Sequence, residues 1–105
     1  MYNKFFDEYL KCIDEKRYYD AHEALEEIWF PRRFEDRNEV RLLKGFINAA
    51  VSFELHKRGR EKQSQRVWTN YLKYRPLLYK TTSKHKNRYH AIARHIEAKR
   101  ILKAI

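Results

Sequence analysis

The chain of 105 residues has two glycines, two prolines and one cysteine, and each scarcity removes a class of structure. So little glycine and proline leaves little material for tight β-turns, while abundant Leu, Ala, Glu, Lys and Arg predict helices joined by short connections. The lone Cys12 excludes an internal disulfide and leaves no cysteine pair for a structural zinc, the usage expected of a chain that works in a reducing compartment. No apolar run approaches the ~18 residues of a membrane span, and Lys4, Asp7 and Glu8 near the start are unlike a signal peptide. A cytoplasmic location with no membrane partner is therefore expected. The length suits one domain over 1–105, able to bury roughly 65% of the surface that the unfolded chain exposes. The expected fold class is all-α, a single-domain antiparallel helical bundle of about five helices.

What is abundant is positive charge, a formal net +10 at pH 7, and it is unevenly spread. Residues 1–39 hold seven Lys and Arg against eleven Asp and Glu, whereas residues 40–105 hold seventeen against three. Such polarity suits self-association, the acidic part of one copy facing the basic part of another, or recruitment of a polyanion.

Apolar spacing places the helices. Phe5, Phe6, Tyr9, Leu10 and Ile13 recur at intervals of three and four, predicting a first helix over about 2–16 with Cys12 on its apolar side. A second covers about 18–30 and is expected to stop at Pro31, whose ring disfavours helical geometry in the residue before it. Asp36 with Glu39 three positions on resembles a capping box for a third helix, running to about 56–58 before Gly59. Leu42, Phe46, Ala49 and Phe53, with Val40, Leu43, Ile47, Ala50 and Val51 beside them, make it the most apolar and the expected centre of the bundle. A fourth helix over about 61–79 turns Ser64, Val67, Tyr71 and Tyr74 inward, and Pro76 should bend or interrupt it. After a polar linker over 81–87, a basic helix over about 88–105 buries Tyr89, Ile92, Ala93 and Ile96.

Chemistry concentrates in Tyr18 to Trp29. At about 100° per residue, Tyr18, His22, Leu25, Glu26 and Trp29 share one side, and Glu26 is the carboxylate of this helix that points inward. An unpaired buried carboxylate is costly, and His22 at i−4 is within reach of it. On the third helix His56 lies beside Gly45, Ala49 and Ser52, a strip of small residues flanked by Asn48. His22, Glu26, Trp29, His56, Asn48 and Ser52 thus form a candidate polar site between the two helices. One reading is structural, a satisfied cluster that fixes helix register. Another is a ligand pocket, and a third is a metal site of His22, Glu26 and His56 suited to a divalent transition metal such as zinc, iron or nickel, with hydrolysis by bound water as the natural reaction. Whether the chain is an enzyme is open; a metal-dependent hydrolase is the leading form if so.

Two blocks of these residues resemble a known pattern. Tyr19, Ala21-His22-Glu23, Glu26 and Trp29 are similar to an A-H-E-x-x-E-x-x-W signature, and Gly45, Ile47, Ala50, His56 and Arg58-Gly59 to a second. On these the chain resembles domain-of-unknown-function family 309, small helical bacterial and archaeal proteins, over about residues 5–79. The resemblance implies a helical fold and brings no established activity. Family members often carry a small Gly-Ala pair where Gln63-Ser64 stand here, which implies a fourth helix held less closely. The basic part after residue 80 lies outside the resemblance. There Lys84, Lys86, Arg88, Arg94, Lys99, Arg100 and Lys103 offer the alternative of nucleic-acid or other polyanion binding, and a homo-oligomeric interaction module is the remaining class. His85, His90 and His95, five residues apart, share no helical face and are expected to be exposed.

Overall fold

The computed structural model describes residues 1–102, and among these there are five α-helices and no strand. They are α1 (Tyr2–Asp14), α2 (Tyr18–Arg32), α3 (Asn38–Lys57), α4 (Glu61–Tyr74) and α5 (Lys86–Ile101), with a 3-10 segment, Arg75–Tyr79, after α4. Consecutive helices pack most closely, α1 on α2, α2 on α3 and α3 on α4, while α5 closes over α1. The third helix is central as expected: Leu42, Leu43, Phe46, Ala49, Ala50 and Phe53 have no exposed surface. Around them lie Phe6, Tyr9 and Cys12 of α1, Tyr18 and Leu25 of α2, Tyr71 of α4 and Tyr89, Ile92 and Ile96 of α5.

The helix ends depart from the expected pattern in informative ways. Pro31 does not stop α2; it sits in the last turn, where few backbone bonds remain to be lost by its missing N–H. The capping box at Asp36 and Glu39 does not form. The N-cap of α3 is Arg37, with no side-chain cap, because Asp36 is taken by Arg41 and Glu39 by Arg32 and Tyr89. Pro76 interrupts the fourth helix by converting its continuation into the 3-10 segment. Gly59, at φ +77°, takes the left-handed turn between α3 and α4 that a side chain would resist.

Gln63-Ser64 does not loosen α4. Ser64 Oγ donates to the Ser52 carbonyl at 2.7 Å and Ser52 Oγ to the Ser64 carbonyl at 2.8 Å, both serines being fully buried. At the other end of the same pair of helices a Cβ on Gly45 would lie 3.0 Å from the Tyr74 Cβ. The two small positions on α3 therefore let α4 approach closely at both ends, and the serines satisfy each other's polar groups.

Candidate binding furrow between the second and third helices

The buried line of α2 is Tyr18, Ala21, Ala24, Leu25 and Ile28. His22, Glu26 and Trp29 lie on the strip next to it, half-buried, along the edge where α2 meets α3. Glu26 is thus at the boundary and not in the core, which removes the cost of burying its charge outright. His22 Nε2 lies 2.7 Å from Glu26 Oε1, with side chains 21% and 35% exposed. The ring nitrogen that faces the carboxylate is Nε2, which leaves Nδ1 to other partners. That Nδ1 is buried and has no partner.

Tyr18 shares this condition. Its ring packs edge-on to Phe53 of α3, with centroids 5.5 Å apart, and its hydroxyl is buried without a partner. Burial, reinforced by the charge of Glu54, pushes the Tyr18 hydroxyl above its ordinary value, so it stays protonated. Both orphaned atoms belong to residues lining one cavity of about 310 Å³, formed by Tyr18, Tyr19 and His22 from α2 and Val51, Glu54 and Leu55 from α3, with Arg58 at its edge. Arg58 is held there by Glu54 at 2.7 Å. Val51 was not legible as a site residue, because at helical spacing it reads as core; half-burial turns it, with Leu55, into the cavity wall.

The other expected site residues go elsewhere. His56 Nδ1 lies 2.6 Å from Glu61 in the first turn of α4, so His56 does not join His22 and Glu26. Ser52 is engaged with Ser64, which leaves it unavailable to His56. Asn48 Nδ2 donates to the Lys44 carbonyl at 2.9 Å, one turn back along α3. Trp29 takes the Lys44 ammonium over its ring, 4.4 Å from the centroid. Among the described residues no three His, Cys, Asp or Glu side chains are grouped to hold a metal ion. The His22–Glu26 pair alone does not supply the three protein donors that a catalytic transition-metal site uses, so the metal triad of His22, Glu26 and His56 is not assembled.

Half of the described candidate cations in the basic part are engaged by the chain's own fold. Arg88 pairs with Asp7 at 2.6 Å, Lys99 with Asp14 at 3.1 Å, and Arg100 lies over Trp68 at 4.5 Å. Lys84, Lys86 and Arg94 project without such contacts among the described residues, and Lys103 lies outside those residues. His85, His90 and His95 are half-buried, against Tyr2, Tyr79 and Asp14 respectively, and not exposed. Cys12 is a core thiol whose Sγ meets Glu8 at 3.4 Å; burial first, then this carboxylate, raise its pKa to about 11. It is therefore a poor nucleophile at neutral pH. No helix among the described residues is long and apolar enough to cross a membrane.

A family model described as "Domain of unknown function (DUF309)" matches residues 6–67, more than half of the chain and inside the span of about 5–79 over which the sequence resembles that family. No curated protein and no solved structure matches.

Proposed function

We propose that this chain, which belongs to the DUF309 family, is a binding protein whose ligand occupies the cavity between α2 and α3. One observation carries the reading: of the fully buried side-chain polar atoms, Tyr18 Oη and His22 Nδ1 lack a partner, and their residues line the same cavity. An orphaned buried polar atom costs about 1–3 kcal/mol; both atoms are closed to solvent, so a ligand recovers that cost when the Tyr18 and His22 side chains turn toward the cavity that their residues line. With Glu26 facing Nε2, the ligand offers a hydrogen-bonding group to Nδ1 and either a donor or an acceptor to the Tyr18 hydroxyl. An uncharged amide or alcohol on an apolar body meets those demands. A cavity of about 310 Å³ is at the small end of ligand pockets, roughly 300–1,000 Å³. The single reduced Cys12 suits a cytoplasmic setting.

The test uses cyclohexanecarboxamide and cyclohexanol as probes, with cyclohexanecarboxylate as the charged comparison, followed by NMR of the Tyr18 and His22 side chains. The uncharged probes should shift both side chains, the carboxylate should not, and Tyr18→Phe or His22→Phe should each weaken binding about tenfold in variants that melt as the parent does. Absence of any shift with the uncharged probes, or undiminished binding by both variants, would end this reading.

A further inference from the structure

Folding leaves two helix faces unmatched, one of each sign. Of the fourteen side-chain carboxylates, Glu23 and Glu27 are the two with no cationic or imidazole partner among the described residues. They stand one turn apart on α2, both exposed, on the side away from its buried line of Tyr18, Ala21, Leu25 and Ile28. Tyr19 and Phe30, 60% and 54% exposed, close the same face at either end.

Helix α4 presents a row of the opposite sign. Its three cations, Lys62, Arg66 and Lys73, are exposed, and none meets a carboxylate among the described residues. The one acid of this helix, Glu61, is held by His56. At about 100° per residue the three cations share a face, turned away from the buried Ser64, Trp68 and Tyr71.

The two rows have one spacing. Tyr19, Glu23, Glu27 and Phe30 follow at intervals of four, four and three residues, and Lys62, Arg66, Asn70 and Lys73 repeat those intervals. Each row spans about 16 Å of helix at 1.5 Å per residue. Within one chain each row sets like charges one turn apart, Glu23 with Glu27 and Lys62 with Arg66, which opposes its own helix. Laid against each other in either direction, the rows bring a carboxylate to Arg66 and an aromatic ring to each lysine, a pairing that cation–π attraction favours.

We propose that α2 of one copy docks on α4 of another, so that the chain associates with itself. A second copy is the occupant because the chain carries both halves of the contact, opposite in sign and equal in spacing and length. A polyanion would engage α4 alone and be repelled by α2. Contact between unlike faces closes into a ring or continues as a chain of copies.

Sedimentation of the full chain across micromolar concentrations tests this. At low salt the average mass should rise with concentration above the 13.0 kDa of one chain, and added salt should lower it. Glu23→Lys with Glu27→Lys, and Lys62→Glu with Arg66→Glu and Lys73→Glu, should each weaken association at least about tenfold. All five positions are exposed, so both variants should melt as the parent does. Mixing the two variants should restore association, because each then meets a face of opposite charge, and one chain with all five reversals should associate like the parent. A parent that stays monomeric at low salt, association unmoved by either reversal, or no recovery on mixing would overturn the contact. So would association that nuclease treatment abolishes, which would assign the α4 row to a polynucleotide.

Discussion

The side of the bundle where α5 closes over α1 and the furrow between α2 and α3 treat the same kinds of residue in opposite ways. In the closed part Tyr9 donates to the Phe46 carbonyl at 2.8 Å, Tyr71 to Glu97 and Tyr89 to Glu39, both at 2.5 Å. His95 and Lys99 both reach Asp14, and Arg88 reaches Asp7. Asp7 and Asp14 of the acidic start thereby meet three cationic or titratable side chains of the basic end within one molecule. Along the furrow a fourth buried tyrosine and a half-buried histidine each keep an unmatched atom, and the Lys44 ammonium lies over the Trp29 ring at 4.4 Å. Folding alone therefore accounts for the polar groups of the first region. The second is where the proposed binding lies.

The largest test of this contrast lies in the closed part. Glu39, its side chain 14% exposed, accepts from Arg32 at 3.1 Å and from Tyr89. Glu39→Ala leaves the buried Tyr89 phenol without its acceptor and the half-buried Arg32 guanidinium with Glu35 alone, and should cost about 2–3 kcal/mol, read as a lower urea midpoint at unchanged slope. A change below about 0.5 kcal/mol would mean the network is ornamental. Next, Tyr9→Phe removes the second hydrogen bond that the helical Phe46 carbonyl accepts and should cost about 1 kcal/mol.

Acid supplies a smaller effect of known sign. Burial pushes the Glu39 carboxyl up, but hydrogen bonds from Ser83, Tyr89 and Arg32 outweigh it and hold the group below the ordinary carboxylate value. Asp14 follows the same pattern, with His95 and Lys99 outweighing burial. A carboxyl depressed by folding stabilises fully above its unfolded value of about 4 and loses that contribution as pH falls through the lower folded value. Urea midpoints should therefore drop below about pH 4, and less steeply in Asp14→Asn than in the parent. A midpoint flat with pH across that window would contradict the assignment.

How much of this was legible before folding depends on what kind of fact was sought. The number of helices, the central third helix and the inward residues of α5 follow from spacing, because burial against a shared core imposes a period on the chain. The His22–Glu26 pair was legible too, since i and i+4 meet within one helix whatever the tertiary fold. The partner of His56 was not. Placing it with His22 assumed that small neighbours mark a site, whereas Gly45 and Ser52 serve the approach of α4 and the start of α4 supplies Glu61. Nor was the missing capping box, because Glu39 has a better use in tertiary structure than at the helix end. Orphaned atoms are invisible to any pattern: Tyr18 and Tyr9 look alike in sequence, and only the fold places a carbonyl before one and none before the other.

That pair gives the sharpest comparison and the smallest expected effect. Tyr18→Phe removes a buried hydroxyl that has no partner and retains the ring against Phe53. The folded state sheds a desolvated polar group, so stability should stay level or rise by up to about 1 kcal/mol, where Tyr9→Phe falls. A purely structural polar cluster requires both phenylalanine variants to lose stability, since each hydroxyl would then be bonded. A loss above about 1 kcal/mol in Tyr18→Phe would place an unseen partner on that hydroxyl and remove the basis for a ligand there. A level or raised midpoint, together with lost probe binding, separates what Tyr18 does for the fold from what it does for the furrow.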